Sequence, residues 1–339
     1  MWARAPSNCA RLFSSASAEL RCGAGAASIQ HAKPQRPWKG VHFEHARLHA
    51  YTFKGLILKE FLRKVLPAPL RRLATTAIYR GLDTAERVFG RSDQLVPPAA
   101  LRFVGSGDFE TIGAQFVEHF RTFGGLLPHH RVLDVGCGIG RMAIPLTRYL
   151  SSDGSYEGFD IVPHGIAWCS RKITPRFPSF RFRLVSIRNR DYNPRGRGEA
   201  ASFTFPYADA SFDFVCLTSV FTHMFADGID NYMREIARVL APGGTSFITW
   251  FLLNDESRAL IASGRSTVDF RHPVDGGLTV NPANPEQAIA FEERRVLAWY
   301  DAIGAAVSPP LHYGSWCGRA PSVSFQDIVV ARKHVDPSR

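Results

Sequence analysis

A short apolar segment followed by three alternating glycines constrains the fold of this 339-residue chain more than any other feature. Residues 131–135 (RVLDV) have the composition of a buried strand, and residues 136–140 read GCGIG. The three glycines let the backbone turn sharply and approach a ligand closely, because they carry no Cβ. Residues 141–149 are predicted to form a helix whose first N–H groups face that ligand. The segment therefore predicts a strand, a ligand-binding loop and a helix.

The glycine spacing indicates which class of cofactor this loop binds. A dinucleotide-binding loop reads G-x-G-x-x-G, which would put the third glycine at position 141, where this chain has Arg141. Asp134 also precedes the loop by two residues. A carboxylate there would repel a pyrophosphate, whereas it suits an ammonium group or bound water. The pattern therefore argues against NAD.

A second acid follows at the end of the next predicted strand. Residues 156–160 (YEGFD) end in Asp160, 24 residues after Gly136. A carboxylate at the tip of the second strand can accept hydrogen bonds from both hydroxyls of a ribose. Asp160 could instead cap the helix that starts near Pro163. Its spacing from the glycine loop favours the ribose role.

Four segments in this order resemble the class I S-adenosylmethionine-dependent methyltransferases. They are residues 132–141 (VLDVGCGIGR), Asp160, residues 206–215 (PYADASFDFV) and residues 235–244 (EIARVLAPGG). The resemblance covers roughly residues 105–333 and implies an α/β, Rossmann-like, doubly wound seven-stranded sheet with an antiparallel last strand. Residues 245–253 are predicted as the fifth strand and residues 323–331 as the seventh. The resemblance also implies S-adenosylmethionine as cofactor.

Carried over residue by residue, the resemblance implies a cofactor site at the carboxyl ends of the strands. The glycines would lie against the amino-acid moiety, Asp134 would orient that moiety, and Asp160 would hold the ribose. The full predicted set is Asp134, Gly136, Cys137, Gly138, Gly140, Asp160, Ile161 and Ser219. The adenine contact after the third strand (residues 180–185) stays open among Ser186, Asn189 and Asp191. No metal site is predicted.

The segment after the fourth strand, residues 216–224 (CLTSVFTHM), is where methyltransferases of this type hold the acceptor. It lacks the Asn/Asp-Pro-Pro-aromatic sequence of the resembling families that methylate exocyclic amines or glutamine amides. His223 could deprotonate a hydroxyl or relay its proton, or it could hydrogen-bond a nearby helix. Phe221 is predicted to line the acceptor pocket. Cys137 and Cys216 are predicted to be packing residues rather than nucleophiles.

Two later segments are candidates for contact with the acceptor. Residues 254–285 form a possible lid insertion, with a hairpin signalled by Gly276 and Gly277. The same segment could be a surface loop without contact to the substrate. Residues 313–319 (YGSWCGR) place Trp316 and Arg319 in a glycine-rich stretch. These two are predicted to bind the acceptor, or else to pack the lid.

Charge divides the chain into a basic N-terminal third and a nearly neutral body. Residues 1–100 hold 16 Lys and Arg against 6 Asp and Glu, whereas residues 101–339 hold 25 against 24. Three regions are predicted: a disordered or targeting-like tail (1–40), a basic helical extension (41–100) and the methyltransferase domain (101–339). The neutral body is not expected to bind a long polyanion.

The N-terminal third carries two further signals. Residues 1–40 are rich in Ala, Ser and Arg, a composition that resembles an organelle-targeting segment. The same residues could instead be a disordered tail, or they could result from a wrongly chosen upstream start codon. Residues 55–66 follow helical periodicity, and basic residues continue to residue 72. The predicted helix could bind an anionic membrane surface, or its apolar face could pack on the methyltransferase domain. One face of a predicted helix carries His42, His45 and His49. A solvent-exposed helix surface is favoured over a metal site for these three histidines.

These observations predict a methyltransferase for a small-molecule, lipid or glycan-like acceptor. Two alternatives stay open: an RNA methyltransferase that uses the basic N-terminal arm, and a non-catalytic cofactor-binding protein. The six cysteines are scattered without a C-x-x-C pair, which favours a reducing cytoplasm, with peripheral membrane attachment as a further possibility.

Overall fold

The computed structural model describes residues 95–103 and 107–335 of the chain. The predictions for residues 1–40, for the helix over 55–66 and for His42, His45 and His49 lie outside these residues. Within the described part, helices and strands alternate along the chain, as the sequence predicted.

The helices, in chain order, are α1 (Phe109–Thr122), α2 (Ala143–Leu146), α3 (Pro163–Lys172), α4 (Ala226–Val239), α5 (Asp255–Ala262) and α6 (Glu293–Ala302). The strands are β1 (Arg131–Val135), β2 (Ser155–Asp160), β3 (Phe180–Leu184), β4 (Phe212–Leu217), β5 (Leu240–Trp250), β6 (Leu252–Leu253), β7 (His272–Val274), β8 (Gly277–Thr279), β9 (Ile289–Glu292), β10 (Ala305–Val307) and β11 (Asp327–Lys333). Short 3₁₀ turns lie at Ala99–Leu101, Ala200–Ser202, Phe221–His223 and Pro285–Gln287.

The central sheet has seven strands in the order β10-β11-β5-β4-β1-β2-β3. Strands β1 to β5 pair in parallel, whereas β11 is antiparallel to both β5 and β10. The predicted seven-stranded sheet with an antiparallel last strand is therefore confirmed. The strand order reverses between β1 and β4, and in open α/β sheets ligands bind beside such a reversal. Because β11 runs antiparallel, its first residues lie at the same edge as the ends of β4 and β5.

The central sheet is buried on both faces, because alternate residues of its strands enter two different core clusters. On β1, Leu133 and Val135 pack with the cluster that includes α4, while Val132 packs with the cluster that includes α1. All three side chains are almost completely buried. Burying one such side chain contributes about 1.5–3 kcal/mol. This two-sided burial explains why residues 132–135 of β1 are apolar except at Asp134.

The helix predicted over residues 141–149 is shorter than expected. Only α2 is helical, and turns flank it on both sides. Pro145 lies in the middle of α2 and has no N–H to donate, so the helical hydrogen bond to the carbonyl of Arg141 cannot form. That carbonyl lies against Gly113 of α1, where a Cβ would approach it to 2.4 Å. The glycine loop is thus followed by one short turn of helix.

Two predicted strands have different limits in the structure. The fifth strand begins at Leu240 rather than at residue 245, because Leu240 pairs with Phe212 ahead of an irregularity in the β4–β5 register. The strand breaks after Trp250, and β6 turns away to join a second sheet. The last strand begins at Asp327 rather than at residue 323. Residues 323–326 instead form a loop at the carboxyl edge of the sheet.

Residues 254–285 contain the hairpin that the sequence predicted. Helix α5 begins with a capping box between Asn254 and Ser257. The hairpin of β7 and β8 turns at Asp275 and Gly276, both with positive φ, as two-residue hairpin turns require. The hairpin belongs to a four-stranded sheet in the order β6-β9-β8-β7. This small sheet stands beside the carboxyl edge because β6 follows β5 directly.

Among residues 95–103 and 107–335, no helix combines the length and the apolar character that crossing a membrane requires.

Candidate functional site

A large cavity opens at the carboxyl edge of the central sheet. Its volume is about 1390 Å³, and its wall includes the glycine loop, the end of β2, the loop after β4 and the loop before β11. Sites for a single drug-sized molecule commonly measure about 300–1,000 Å³. The cavity is therefore large enough for a cofactor with a second molecule beside it.

The glycine loop follows β1 directly and forms one wall of the cavity. Gly136, Gly138 and Gly140 have φ values of +77°, +58° and +82°, a conformation that other residues rarely adopt. A Cβ on Gly136 would approach Val220 Cγ2 to 2.4 Å, so the loop after β4 can pack directly on this glycine. Gly140 does not line the cavity. It packs against α3 instead, because a Cβ on Gly140 would approach the Cys169 sulfur to 3.0 Å. The third glycine therefore serves packing between the loop and α3.

Asp160 stands at the end of β2 and binds the glycine loop. Its Oδ2 accepts a hydrogen bond from the Gly138 N–H at 2.7 Å, and its Oδ1 accepts one from the Val162 N–H at 2.8 Å. Burial raises the pKa of Asp160, although both backbone donors favour its ionised form. An ionised carboxylate offers about four acceptor positions. The positions that the backbone N–H groups do not occupy remain for hydroxyl donors from a ligand in the cavity.

Asp134 is fully buried at the base of the cavity. Its Oδ2 accepts a hydrogen bond from the Tyr156 hydroxyl at 2.6 Å, while its Oδ1 has no hydrogen-bond partner within the described residues. Burial and the nearby Asp160 raise the pKa of Asp134 to about 7. A buried polar atom without a partner is costly, so this oxygen fits a ligand that brings a donor. A positively charged donor would also stabilise the ionised carboxylate.

All of the predicted cofactor residues except Gly140 line the same cavity. The other seven are Asp134, Gly136, Cys137, Gly138, Asp160, Ile161 and Ser219. Burial raises the pKa of the Cys137 thiol well above its usual value, as it does for Cys216. Both thiols stay protonated at neutral pH, as expected of packing residues.

The loop after β4 brings His223 to the cavity. The ring Nδ1 lies 2.9 Å from the Glu286 carbonyl oxygen, and the ring meets Tyr192 edge-on. A carbonyl can only accept, so Nδ1 carries the hydrogen and Nε2 is the acceptor of the neutral ring. Burial lowers the pKa of His223, which keeps the ring neutral at physiological pH.

Phe221, Trp316 and Arg319 do not line the cavity, although the sequence predicted them as acceptor contacts. Phe221 is fully buried in the core, with its ring 4.8 Å from that of Trp250. Trp316 and Arg319 are held by the buried carboxylate of Asp327, at 2.7 Å and 3.2 Å. They stabilise the junction of the two sheets. Asp327 is an acid within the mostly apolar segment 323–331, and this was the sequence signal for a buried carboxylate that binds other side chains.

The segment after β3 contributes one of the three residues considered for the adenine contact. Asn189 lines the cavity, whereas Ser186 and Asp191 do not. The Asn189 side-chain amide donates to the Glu286 carboxylate at 2.8 Å and is oriented by that bond. Asp191 instead accepts hydrogen bonds from Asn284.

Sequence reasoning missed an apolar part of the cavity wall. It is formed by Phe116 of α1, Met224, Phe251, Val268 and Phe325. Phe251 follows β5 and Phe325 precedes β11, so both stand at the carboxyl edge, and their rings meet edge-on. Phe325 is 51% exposed although it is aromatic. Such a wall accommodates an apolar ligand.

No group of three or more His, Cys, Asp or Glu side chains suited to a metal ion occurs within residues 95–103 and 107–335.

A family model described as "Methyltransferase domain" matches residues 133–248, which span the glycine loop, Asp160, the loop after β4 and most of β5. Among curated proteins, the chain is similar to methyltransferase GfsG of Streptomyces halstedii, at 33% identity over 121 residues. The match covers 34% of this chain and 35% of that relative, so it spans about a third of the relative's length.

The chain is also similar to solved structures at low sequence identity. The PH0226 protein from Pyrococcus horikoshii is 14% identical with a TM-score of 0.48, covering 74% of this chain and 98% of that one. An N1-methyltransferase from Burkholderia thailandensis, with bound 1,6-didemethyltoxoflavin and S-adenosylhomocysteine, is 16% identical. Its TM-score is 0.41, and the match covers 79% of this chain and 92% of that one.

Proposed function

We propose that the chain transfers the methyl group of S-adenosylmethionine to a small molecule with an apolar body. The match of residues 133–248 to a methyltransferase domain supports the first part of this proposal. The observation that carries this proposal is the mixed lining of the cavity. The glycine loop and two buried acids form one part of its wall, and apolar side chains form another part. The described residues thus offer a place for a cofactor and a place for an acceptor.

The cofactor side fits S-adenosylmethionine in three respects. The backbone at Gly136 and Gly138 can approach the amino-acid moiety, because neither residue has a Cβ. The unpartnered Oδ1 of Asp134 suits the ammonium group of that moiety. Asp160 keeps acceptor positions for the ribose hydroxyls. When bound, S-adenosylmethionine supplies an electrophilic methyl group on a sulfonium.

The acceptor side favours an apolar molecule over a glycan. Phe116, Phe251 and Phe325 present ring surfaces, and Met224 and Val268 complete the wall. Apolar and aromatic side chains are typical of the walls of sites for small apolar ligands. A glycan would need many more hydrogen-bond partners for its hydroxyls. Small molecules with an apolar body are therefore preferred among the predicted acceptors.

His223 is placed to act as a general base toward a hydroxyl acceptor. Its neutral ring keeps Nε2 as the proton acceptor, because Nδ1 donates to the Glu286 carbonyl. The lowered pKa means that the base stays active at a lower pH than an ordinary histidine would. The residue's role is to remove a proton as the acceptor oxygen attacks the methyl group.

Replacement of His223 by glutamine tests this role. We expect the rate of labelled methyl transfer from S-adenosylmethionine into the small-molecule fraction of a cell extract to fall by about 10²–10⁴-fold. The affinity for S-adenosylmethionine should stay unchanged, because the substitution leaves the glycine loop and both acids in place. His129→Gln, at an exposed position away from the cavity, is the control. Equal transfer rates in both variants would remove His223 from the mechanism.

The affinity for S-adenosylmethionine should rise with pH through the pKa of Asp134, which is about 7. Below this value Asp134 is protonated and neutral, and above it the ionised carboxylate attracts the cationic cofactor. We expect a roughly eightfold tighter dissociation constant at about pH 7.5 than at about pH 6, measured by calorimetry. Asp134→Asn should flatten this dependence. An identical pH profile in the variant would assign the titration to another group.

A further inference from the structure

We infer that Gln326 is a positioning residue that holds the loop after β4 against the glycine loop. Gln326 directly precedes β11, lines the cavity and is largely buried. It lies 107 residues from Ser219 in sequence, yet the two side chains are in direct contact. The proposed function gives Gln326 no role.

The Gln326 side chain is the centre of a hydrogen-bond network that joins three segments. Its Oε1 accepts from the Ser219 hydroxyl at 2.8 Å and from the Thr249 hydroxyl at 2.7 Å. The Thr249 oxygen in turn accepts from the Ser219 backbone N–H at 2.8 Å. Each hydroxyl has one hydrogen, and both are used on Gln326. The network therefore fixes the backbone and the side chain of Ser219 at the same time.

Ser219 needs this support because its backbone is strained. Its φ is +59°, in the left-handed region that residues other than glycine rarely occupy. Single residues of this kind persist only where the surrounding structure holds them. Thr249 is fully buried on β5, so the network is anchored to a rigid element of the central sheet.

The conformation of Ser219 sets the position of the next residue on the loop. Val220 packs on Gly136, with its Cγ2 within 2.4 Å of the position that a Cβ on Gly136 would take. The loop then continues to His223, which also lines the cavity. Gln326 thus acts through Ser219 on the glycine loop and on the candidate base. Its effect on transfer rests on the proposed function, whereas its effect on the loop does not.

Three variants test the inference in the full chain. Gln326→Leu removes the acceptor of both hydroxyls, and Thr249→Val removes the anchor with little change in shape. The third, Ser219→Gly combined with Gln326→Leu, restores a residue that adopts positive φ without strain. Asn231→Leu is the matched control, because its amide bonds two backbone carbonyls away from this loop.

Hydrogen exchange of residues 217–224 is the readout that does not depend on activity. We expect exchange at the Ser219 amide to rise about 5- to 30-fold in Gln326→Leu and in Thr249→Val, since left-handed strain then favours opening. Adding Ser219→Gly to Gln326→Leu should bring the exchange of the rest of the segment back to within about threefold of the parent. Asn231→Leu should leave the segment unchanged.

Methyl transfer should follow the same order, with kcat lowered in Gln326→Leu and in Thr249→Val and unchanged in Asn231→Leu. Unchanged loop exchange in Gln326→Leu and Thr249→Val, or failure of Ser219→Gly to restore it, would overturn the inference. If the parent chain binds no S-adenosylmethionine, the proposed function fails, but the exchange data still decide whether Gln326 holds the loop.

Discussion

Replacement of Gly138 by arginine is expected to lower the affinity for S-adenosylmethionine by at least about a hundredfold. Gly138 lines the cavity with φ at +58°, and its N–H donates to Asp160. A long side chain at this wall obstructs the approach of the ligand to the backbone. Its guanidinium also repels the sulfonium of the cofactor. Both effects act in the same direction, which makes this the most damaging single substitution at the site.

Gly264→Arg is the matched control for the strain that the substitution introduces. Gly264 also has positive φ, at +72°, with no neighbouring atom within 4 Å of the position of a Cβ. It follows α5 and does not line the cavity. The left-handed backbone conformation of an arginine therefore lowers the free energy of unfolding of both variants by about 1–2 kcal/mol. Equal loss of binding in the two variants would mean that destabilisation, rather than obstruction, is the cause.

Replacement of Asp160 by alanine is expected to weaken S-adenosylmethionine binding by about 10- to 150-fold. This range corresponds to the loss of charge-assisted hydrogen bonds to the ribose, worth about 1.5–3 kcal/mol. The substitution also leaves the Gly138 and Val162 N–H groups without their acceptor. Calorimetry at a temperature where the variant is folded separates binding from stability.

Two further variants define what Asp160 contributes. Asp160→Asn keeps one carbonyl oxygen as an acceptor and should lose less affinity than Asp160→Ala. Glu157→Ala is the control, because this carboxylate lies on the same strand, β2, but does not line the cavity. Full affinity in Asp160→Ala would remove the ribose role and leave Asp160 as a support of the glycine loop alone.

The cofactor side could be predicted from the sequence because its residues are close together along the chain. Asp134 and the glycines belong to one segment, and Asp160 ends the next strand. Parallel strands align their carboxyl ends, so a local pattern is enough to place these residues at one edge. The structure adds the hydrogen bond between Gly138 and Asp160, which makes the two segments one unit.

The acceptor side could not be predicted in the same way, because distant segments build it. Phe116, Phe251 and Phe325 line the same cavity although they lie far apart in the sequence, and none belongs to a recognisable motif. Trp316 and Arg319 have the composition of a binding site, but the buried carboxylate of Asp327 draws them away from the cavity. A buried acid collects its hydrogen-bond partners wherever the chain supplies them, since leaving it unpaired is costly.

The length of the helix after the glycine loop illustrates a different limit. A helix was predicted over 141–149 after the glycine loop, although residue 145 is a proline. The missing N–H of that proline shortens the helix to α2 and leaves the Arg141 carbonyl beside Gly113. A single proline therefore limits the length of this helix.

Calorimetric titration of S-adenosylmethionine into the full chain, with Gly138→Arg and Gly264→Arg measured in parallel, tests the central claim most directly. We expect one molecule bound per chain, with binding lost in Gly138→Arg and retained in Gly264→Arg. Absence of binding to the parent chain, or equal affinity in the parent and in Gly138→Arg, would contradict the assignment of this cavity to the cofactor.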